Sequence, residues 1–425
     1  MKKLFLLTLL LTFIGSNAQD IYLQCGKIID TKNGIVLSNK TIVVSGNKIK
    51  RIEDGIIVES IPDGIFIDLK DKTVLPGLID MHVHIEGETN PNRYLQVFTL
   101  NDADVAYNAS EIAQRTLLAG FTTVRDLGGS GVNISLRNAI SKEKVIGPRI
   151  FTSGKALGTT GGHADPTNGR RKELMGDPGP KEGVVNGVDD ARKAVRQRYK
   201  NGADWIKITA TGGVLSVAKS GKNPQFTEEE IMTIVSTAKD YGMSVAAHAH
   251  GDEGMQRAIR AGVKTIEHGT LMSTETMDLM ISKGAYLVPT ITAGKYVSDM
   301  AKIPNYYPAI IVPKALEIGP KIQDTFKEAY KKGVNIAFGT DAGVFPHGEN
   351  GKEFGYMVEA GMPAMEAIQS ATITNAKVLE MENKLGQLES GFLADIIAVN
   401  EDPTQNINTM ENVVFVMKDG KIFKR

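Results

Sequence analysis

Residues 73–86 read TVLPGLIDMHVHIE and connect an apolar run to a pair of histidines. Strand side chains alternate between faces, so His82 and His84 point the same way from the end of a predicted strand. Neutral imidazole is a frequent zinc ligand, and the pair could chelate one metal ion. Taken alone, an H-x-H pair more often simply lies on a polar face, so its partners elsewhere in the chain decide the interpretation.

Charge and composition are ordinary for a globular chain. Lysine plus arginine and aspartate plus glutamate each number 49 in 425 residues. This balance gives no electrostatic reason to expect nucleic acid or an anionic membrane surface as a partner. The length suits one large α/β barrel with a satellite domain, or two to three ordinary domains.

The first 18 residues have the pattern of a secretory signal peptide. Two lysines precede an apolar run over residues 4–14, and residues 16–18 (SNA) resemble a small-residue cleavage site. A retained N-terminal anchor is the alternative, and no membrane span is expected after removal. Cys25 is the only cysteine, so no intrachain disulfide can form. These features predict a bacterial protein that is periplasmic or secreted.

Both ends of the remaining chain predict short strands joined by turns. Residues 42–44 and 49–52 flank a Ser-Gly-Asn turn, and residues 395–399 and 413–417 form similar runs near the other end. Asp419-Gly420 is a hairpin signal. Because isolated hairpins are marginal in water, we expect the two ends to form one small β-sandwich.

The middle of the chain alternates helices with strands. A glycine that stops a helix precedes an apolar strand at Gly120, Gly202, Gly242, Gly262, Gly284 and Gly333. Helical spacing covers residues 190–200, 228–241 and 314–332, and Thr227 with Glu230 predicts a capping box. Strands at 78–84 and 149–153 bring the predicted total to eight.

Eight strand–helix units predict a (β/α)8 TIM barrel rather than an open doubly wound sheet. No G-x-G-x-x-G fingerprint follows any of the strands. The expected fold is therefore α/β, with the barrel at residues 75–383 and the β-sandwich built from residues 19–74 and 384–425, after a signal peptide at 1–18.

Histidines concentrate at the predicted carboxyl ends of barrel strands, where barrels carry their chemistry. Five of the seven in the chain fall at three of these ends: His82, His84, His248, His250 and His268. A single buried histidine is usually bonded to a backbone carbonyl. Five at one barrel mouth favour metal ligation instead.

Three other polar residues at strand ends allow more than one interpretation. Asp341 follows the last strand, where a lone aspartate is more often a helix N-cap, but beside a metal ion it becomes a candidate ligand and proton acceptor. Lys207 interrupts an apolar strand, and buried lysines are rare unless paired or modified. Arg125 could bind a substrate carboxylate, although we favour an ion pair with Asp126.

In order along the chain, these motifs resemble the amidohydrolase superfamily, in the branch of imidazolonepropionase-like and Xaa-Pro dipeptidase-type (prolidase-like) enzymes. The resemblance covers essentially the whole mature chain. Its matching segments are residues 76–84, 202–208, 245–251, 262–269, 339–341 and 388–395.

The resemblance implies a binuclear centre of two divalent metal ions, most often zinc. By similarity the metal ligands would be His82, His84 and Asp341 for one ion, and His248 and His268 for the other. Carbon dioxide would carboxylate Lys207, and the resulting carbamate would bridge both ions. Such a pair lowers the pKa of a bridging water and polarises the scissile carbonyl. Asp341 would accept the proton of that water and pass it to the departing amine.

Substrate contacts are implied less directly. His250 lies two residues beyond the ligand that the motif assigns, and we leave it to a substrate contact or to the support of a ligand. His163, in the glycine-rich loop at 159–163, resembles a substrate-contacting histidine of dipeptidase-like members. A solvated loop is the alternative for this segment.

We therefore expect hydrolysis of an amide C–N bond in a small molecule, either an Xaa-Pro dipeptide or an N-acyl amino acid. A mononuclear deaminase or imidazolone-ring hydrolase is the nearest alternative, and Lys207 argues against it. A lactone or carbamate ester hydrolase would use identical ligands. A non-catalytic binding barrel is disfavoured because every ligand position is filled. A homo-oligomer is compatible with the sequence, and association would add stability.

Overall fold

The computed structural model describes residues 19–57 and 64–425. The predicted signal peptide lies outside the described residues. Within those two ranges, no helix combines the length and the apolar character that crossing a membrane requires.

The strands and helices follow the predicted alternation. In chain order the strands are β1 (Ile21–Asp30), β2 (Ile35–Ser45), β3 (Lys48–Asp54), β4 (Ile65–Pro76), β5 (Leu78–Val83), β6 (Phe121–Asp126), β7 (Arg149–Thr152), β8 (Trp205–Thr209), β9 (Ser244–Ala249), β10 (Thr265–His268), β11 (Tyr286–Val288), β12 (Asn335–Ile336), β13 (Ile396–Val399), β14 (Val413–Lys418) and β15 (Lys421–Lys424). The helices are α1 (Arg93–Thr99), α2 (Asp102–Leu118), α3 (Val132–Ser141), α4 (Lys172–Met175), α5 (Gly187–Asn201), α6 (Glu228–Asp240), α7 (Asp252–Ala261), α8 (Thr274–Lys283), α9 (Ile291–Met300), α10 (Val312–Ile318), α11 (Lys321–Lys332), α12 (Lys352–Glu359), α13 (Ala364–Gln369) and α14 (Asn375–Val378).

The strands of the two chain ends form one seven-stranded sheet in the order β15-β14-β13-β4-β1-β2-β3. Its outer strand β3 also pairs with the segment that precedes β13, since the Ile49 amide donates to the Phe392 carbonyl at 2.9 Å. The sheet therefore curls back on itself and encloses a core of its own, which includes Leu23, Ile42 and Phe415. The predicted β-sandwich from both termini is confirmed.

The remaining strands close into a barrel. Strands β5, β6 and β7 form one parallel sheet, and β8 to β12 form another. Parallel bridges between Leu157 and Ile208 and between Val83 and Ala342 join the two sheets at both edges. The predicted (β/α)8 barrel is confirmed by this closure.

The helix boundaries agree with the sequence signals at α6 and differ at α10. Thr227 and Glu230 form the predicted capping box, with the Thr227 amide 2.8 Å from the Glu230 carboxylate. The continuous helix predicted over 314–332 is wrong, because Gly319-Pro320 separates α10 from α11. Proline has no amide hydrogen to donate to the preceding turn and favours the start of a new helix.

Apolar side chains fill the end of the barrel where its strands begin. Ile79, near the start of β5, and Trp205, the first residue of β8, belong to one buried cluster with Ala376 and Val378. Because α14 supplies the last two residues, it seals this end. The carboxyl ends of the strands are left for polar side chains.

Candidate metal centre

The barrel brings the predicted site residues to the carboxyl ends of its strands. They line one cavity of about 760 Å³, which is bordered by His82, His84, His163, Lys207, His248, His250, His268 and Asp341. Arg125 is absent from this lining.

Asp341 faces the two histidines of β5. Its Oδ1 atom lies 3.6 Å from His82 Nε2 and 3.4 Å from His84 Nε2. The Asp341 backbone is left-handed, with φ of 60°, and its amide donates to the His82 carbonyl at 2.7 Å. Ligand atoms of His82, His268 and Asp341 lie within 4.8 Å of one another. This spacing is compatible with a shared cation.

Lys207 reaches the same point from β8. Its Nζ atom lies 3.4 Å from His82 Nε2, and the residue is only 4% exposed. Burial lowers the pKa of the Lys207 amine. Removing an ammonium from water disfavours its charged form, so the uncharged amine is more accessible here than on the surface.

Burial also keeps the histidines neutral. It lowers the pKa of His82, His248 and His268 well below the usual range, and the charge of Lys207 adds to the effect. Neutral imidazole is the form that binds a metal ion.

Each of the four predicted histidine ligands has one ring nitrogen already occupied by a protein oxygen. The pairs are His82 Nδ1 with Glu267 Oε2 at 2.9 Å, His84 Nδ1 with the Gly128 carbonyl at 2.8 Å, His248 Nε2 with the Gly212 carbonyl at 3.1 Å, and His268 Nδ1 with Thr290 Oγ1 at 2.7 Å. Such partners fix the ring orientation and the tautomer. The opposite nitrogen of each ring is left to accept a metal ion.

The Asp341 carboxylate tests whether a metal suits these residues. Its Oδ1 atom is buried and has no hydrogen-bond partner among the described residues. Burial raises the pKa of this carboxyl group. A buried, unpartnered carboxylate oxygen is costly, and a divalent cation would satisfy it. Imidazole and carboxylate donors are those that zinc prefers, so the residues fit the metal centre that the sequence predicts.

Arg125 makes neither of the two contacts that the sequence suggested, a substrate contact or an ion pair with Asp126. Its Nη2 atom donates to Glu267 Oε1 at 2.9 Å and its Nε atom to the Met81 carbonyl at 2.7 Å, and its guanidinium covers the Trp205 ring. The favoured ion pair with Asp126 is wrong, because neighbouring side chains of a strand point to opposite faces. Arg125 is fully buried and has no contact with the cavity that would support a role in substrate binding.

Glu267 is a site residue to which the sequence assigned no role, although it stands beside His268 at a predicted strand end. One of its carboxylate oxygens accepts from Arg125 and the other contacts His82 Nδ1. The available signal was a charged residue inside the buried strand β10, the same anomaly that drew attention to Lys207. Glu267 places a negative charge behind His82 and so orients the ring.

His163 and His250 accompany His248 at the edge of the cavity. The His163 ring stacks on the His248 ring with centroids 4.4 Å apart, and its Nδ1 atom is unpartnered among the described residues. His250 Nδ1 lies 2.8 Å from Thr270 Oγ1. Each ring thus keeps one nitrogen for a further contact at the cavity.

The outer wall of the cavity is largely apolar and carries several cations. The apolar part comes from α1, α9, α10 and α11, through Tyr94, Val97, Phe98, Val297, Ile318 and Ile322. Arg93, Lys155 and Arg170 border the same cavity. The wall is therefore suited to a ligand with an apolar portion and a negative charge.

Comparison with known proteins identifies the family of this chain. Residues 73–423 match the model of the Amidohydrolase family. Ochratoxinase from Aspergillus niger is 33% identical over 375 residues, which are 83% of this chain and 75% of that protein. A crystal structure of a Xaa-Pro dipeptidase with methionine bound in its active site is 56% identical and has a TM-score of 0.93, over 96% of this chain and 100% of the other.

A second crystal structure, a prolidase in complex with N-methylphosphonate-L-proline, is 33% identical, with a TM-score of 0.88 over 96% of this chain and all of that one. The match to the family model extends over most of the sequence and includes every predicted ligand. The chain belongs to the amidohydrolase family.

Proposed function

We propose that this protein is a metal-dependent hydrolase that cleaves an amide C–N bond in an Xaa-Pro dipeptide or an N-acyl amino acid. The observation that carries the proposal is the set of four imidazoles, three of them buried, each with one nitrogen held by a protein oxygen. This arrangement is typical of metal-binding histidines.

Two divalent ions, with zinc as the first choice, would be held at this site. The ligands would be His82, His84 and Asp341 for one ion, and His248 and His268 for the other. When bound, the ions supply a Lewis acid that polarises the scissile carbonyl and lowers the pKa of water.

Lys207 would contribute after carboxylation. Its uncharged amine would add to the carbon of carbon dioxide and release one proton to solvent, which would yield an N-linked carboxylate able to serve as a metal ligand. The lowered pKa of Lys207 supports this step, because only the uncharged amine can react. The modification also removes a positive charge from beside the imidazoles.

Asp341 would move the proton. Its carboxylate accepts a proton from the attacking water and delivers it to the amine nitrogen as the C–N bond breaks. The position of Asp341 Oδ1, which faces both histidines of β5 and has no hydrogen-bond partner among the described residues, supports this role. The backbone bond to His82 holds the carboxylate at the ligand cluster.

The cavity wall supports the substrate class. Arg93, Lys155 and Arg170 offer positive charge for a carboxylate, and α1 offers an apolar surface for a side chain. His163 and His250 would contact the polar part of the substrate. Two of the solved relatives are a Xaa-Pro dipeptidase and a prolidase, which is why proline dipeptides come first among the substrates to be tested.

Export is a separate part of the proposal. Residues 1–18 would direct the chain to the periplasm or the exterior of a bacterium and then be removed. The mature protein would comprise the barrel at 75–383 and the sandwich at 19–74 and 384–425. Determining the N-terminus of the protein recovered from the periplasm and medium checks this assignment.

The decisive experiment measures metal content of the purified mature protein by elemental analysis and assays a library of dipeptides and N-acyl amino acids. About two ions per chain with release of an amino acid supports the proposal. One ion with release of ammonia would instead indicate a deaminase. Absence of metal and turnover after reconstitution with zinc and bicarbonate would overturn it. Removing the metal with a chelator should abolish activity, and adding zinc should restore it.

A further inference from the structure

We propose that Glu353, on α12, is a positioning residue for the metal ligand His268 and acts through Thr290. Glu353 lies outside the cavity lining and is not one of the predicted ligands. The inference rests on the proposed function, because it takes His268 to be a metal ligand.

The first link joins Thr290 to His268. Thr290 Oγ1 lies 2.7 Å from His268 Nδ1, which leaves Nε2 of the ring as the free nitrogen. Thr290 has a left-handed backbone, with φ of 55°. A β-branched residue rarely adopts this conformation, so its surroundings must hold it. The position of the hydroxyl group therefore depends on what fixes the backbone of Thr290.

The second link explains why the Thr290 hydroxyl is available. Thr290 is the residue that precedes α9, where a threonine side chain normally accepts a hydrogen bond from the first turn. Here its side chain makes no such bond. The first-turn amides would otherwise have no hydrogen-bond acceptor, so another group must accept their hydrogen bonds.

Glu353 is that acceptor. The Ile291 amide donates to Glu353 Oε1 at 2.8 Å, and the Thr292 amide donates to Oε2 at 2.8 Å. The Thr292 hydroxyl donates to Oε2 at 2.6 Å. Both carboxylate oxygens are thus used, and Glu353 is 0% exposed. A carboxylate at the amino end of a helix is also favoured by the helix dipole.

The carboxylate from α12 thus replaces the side-chain cap of α9 and leaves the Thr290 hydroxyl to the imidazole. The Thr290 amide itself donates to the Gly339 carbonyl at 3.1 Å, two residues before Asp341. The start of α9 is therefore fixed between Glu353 and the segment that carries another predicted ligand. Removing the Glu353 carboxylate would free Thr290 to cap α9, and His268 would lose its partner.

The test compares the zinc affinity of variants at Thr290 and Glu353, measured by chelator competition. Thr290→Val should weaken the binding of one zinc ion by about 10- to 100-fold, the usual effect of removing the partner of a ligand histidine. Glu353→Gln should weaken the binding of the same ion by a similar factor. The double variant should bind zinc no more weakly than whichever single variant has the lower zinc affinity. Thr290→Ser keeps the hydroxyl group and should restore most of the affinity.

A matched control separates positioning from general stability. Asp395 is also a buried carboxylate with hydrogen bonds, to Arg149 and the Asp419 amide, but it lies at the junction with the sandwich. Asp395→Asn should lower the melting temperature and leave the zinc affinity within about twofold. If Glu353→Gln does not fold, Thr292→Val removes a single contact to the same carboxylate and should weaken zinc binding several-fold.

The outcomes are distinguishable. If Thr290→Val and the Glu353 or Thr292 variant bind zinc as tightly as the unaltered protein, the positioning role is overturned while the metal centre stands. Losses that multiply in the double variant would show that Glu353 does not act through Thr290. If the unaltered protein binds no zinc at all, the proposed function itself fails.

Discussion

The two halves of the candidate metal centre are supported by different parts of the barrel. The first half consists of His82, His84 and Asp341, and two of these, His82 and Asp341, depend on residues of the barrel interior. The second half consists of His248 and His268, which depend on atoms of the loops that follow the strands, as His84 does through the Gly128 carbonyl. His82 and Asp341 are therefore fixed by the same packing that forms the fold. The second half is only as rigid as its loops.

The interior support of the first half is a pair of buried carboxylates. Glu267 contacts the His82 ring, and Asp80 accepts from the His82 amide at 3.0 Å. Asp80 also accepts from the Thr340 amide and hydroxyl and from Asn350 Nδ2. Because Thr340 precedes Asp341, one carboxylate aligns the strand of the histidines with the segment of the aspartate.

The loop support of the second half is itself held by charged residues from distant helices. Gly212, which contacts His248, adjoins Gly213, whose carbonyl accepts from Lys314 Nζ at 3.0 Å. Lys314 also donates to the carbonyls of Ser216 and Ala218. Each loop partner of the second half is thus adjacent to a buried ionisable side chain, Lys314 for one and Glu353 for the other.

Lys207 is the residue that we propose to serve both halves, and its removal should have the largest effect. Lys207→Ala should lower activity by about a thousandfold or more, the range seen when a group essential to the chemistry is removed. Both metal ions should bind more weakly. Kinetics and elemental analysis measure these quantities, with Lys239→Ala on the exposed side of α6 as the control. Unchanged metal content and rate in Lys207→Ala would show that the shared role is wrong.

Glu267→Gln should break the support of the first half alone. The unpaired guanidinium of Arg125 should lower the free energy of unfolding by about 3–5 kcal/mol. The ion held by His82 should bind about 10- to 100-fold more weakly. Denaturant unfolding of the metal-free protein and chelator competition measure the two effects.

Adding Arg125→Met to Glu267→Gln separates the effect on the free energy of unfolding from the effect on zinc affinity. The double variant has no unpaired charge, so it should regain most of its stability while zinc affinity stays low. Recovery of both quantities would mean that Glu267 supports the fold and has no specific effect on His82.

Lys314→Met should loosen the second half alone. The loop that carries Gly212 loses three hydrogen bonds from a charged donor, which are worth about 1.5–3 kcal/mol each. One zinc ion should become about tenfold easier to remove by a chelator, and the other should be unaffected. Lys321→Met, at an exposed position of α11, is the control. If both ions became equally easy to remove, Lys314 would support the whole centre, and the two halves would not have separate supports.

Thr270→Val should have the smallest effect. It removes the partner of His250 Nδ1, a histidine that we assign to substrate and not to metal. A neutral hydrogen bond contributes about 0.5–1.5 kcal/mol, so kcat/KM should fall by about 2- to 10-fold with zinc affinity unchanged. Loss of a zinc ion from this variant would instead make His250 a ligand in place of His248.

The fold was largely predictable because its signals are local. Helix-stopping glycines, the capping box at Thr227 and the apolar run into β5 each depend on a few neighbouring residues. The break at Gly319-Pro320 carried the same kind of signal and was missed because the helical spacing on either side continues across it. The strand ends then placed the candidate ligands together.

The support of the ligands was not predictable in the same way. Arg125 pairs with Glu267 because β6 and β10 face each other across the barrel, and no local pattern states which interior side chains meet. Gly128 and Gly212 contribute backbone carbonyls, which leave no mark in the sequence. The contact between Glu353 and α9 joins residues about sixty positions apart.

The direct passage from β4 into β5 has a consequence for the order of folding. Only Gly77 separates the two strands, and a Cβ atom there would lie 2.2 Å from Thr122 Oγ1, so the passage is tightly fixed. In the seven-stranded sheet formed by the two chain ends, β4 pairs with β13, whose residues are made late in synthesis. A nascent chain therefore carries His82 and His84 long before β4, the strand that leads into theirs, has its final neighbour. Completion of the sheet that leads into the ligand strand is therefore a long-range event, and it awaits residues 396–399.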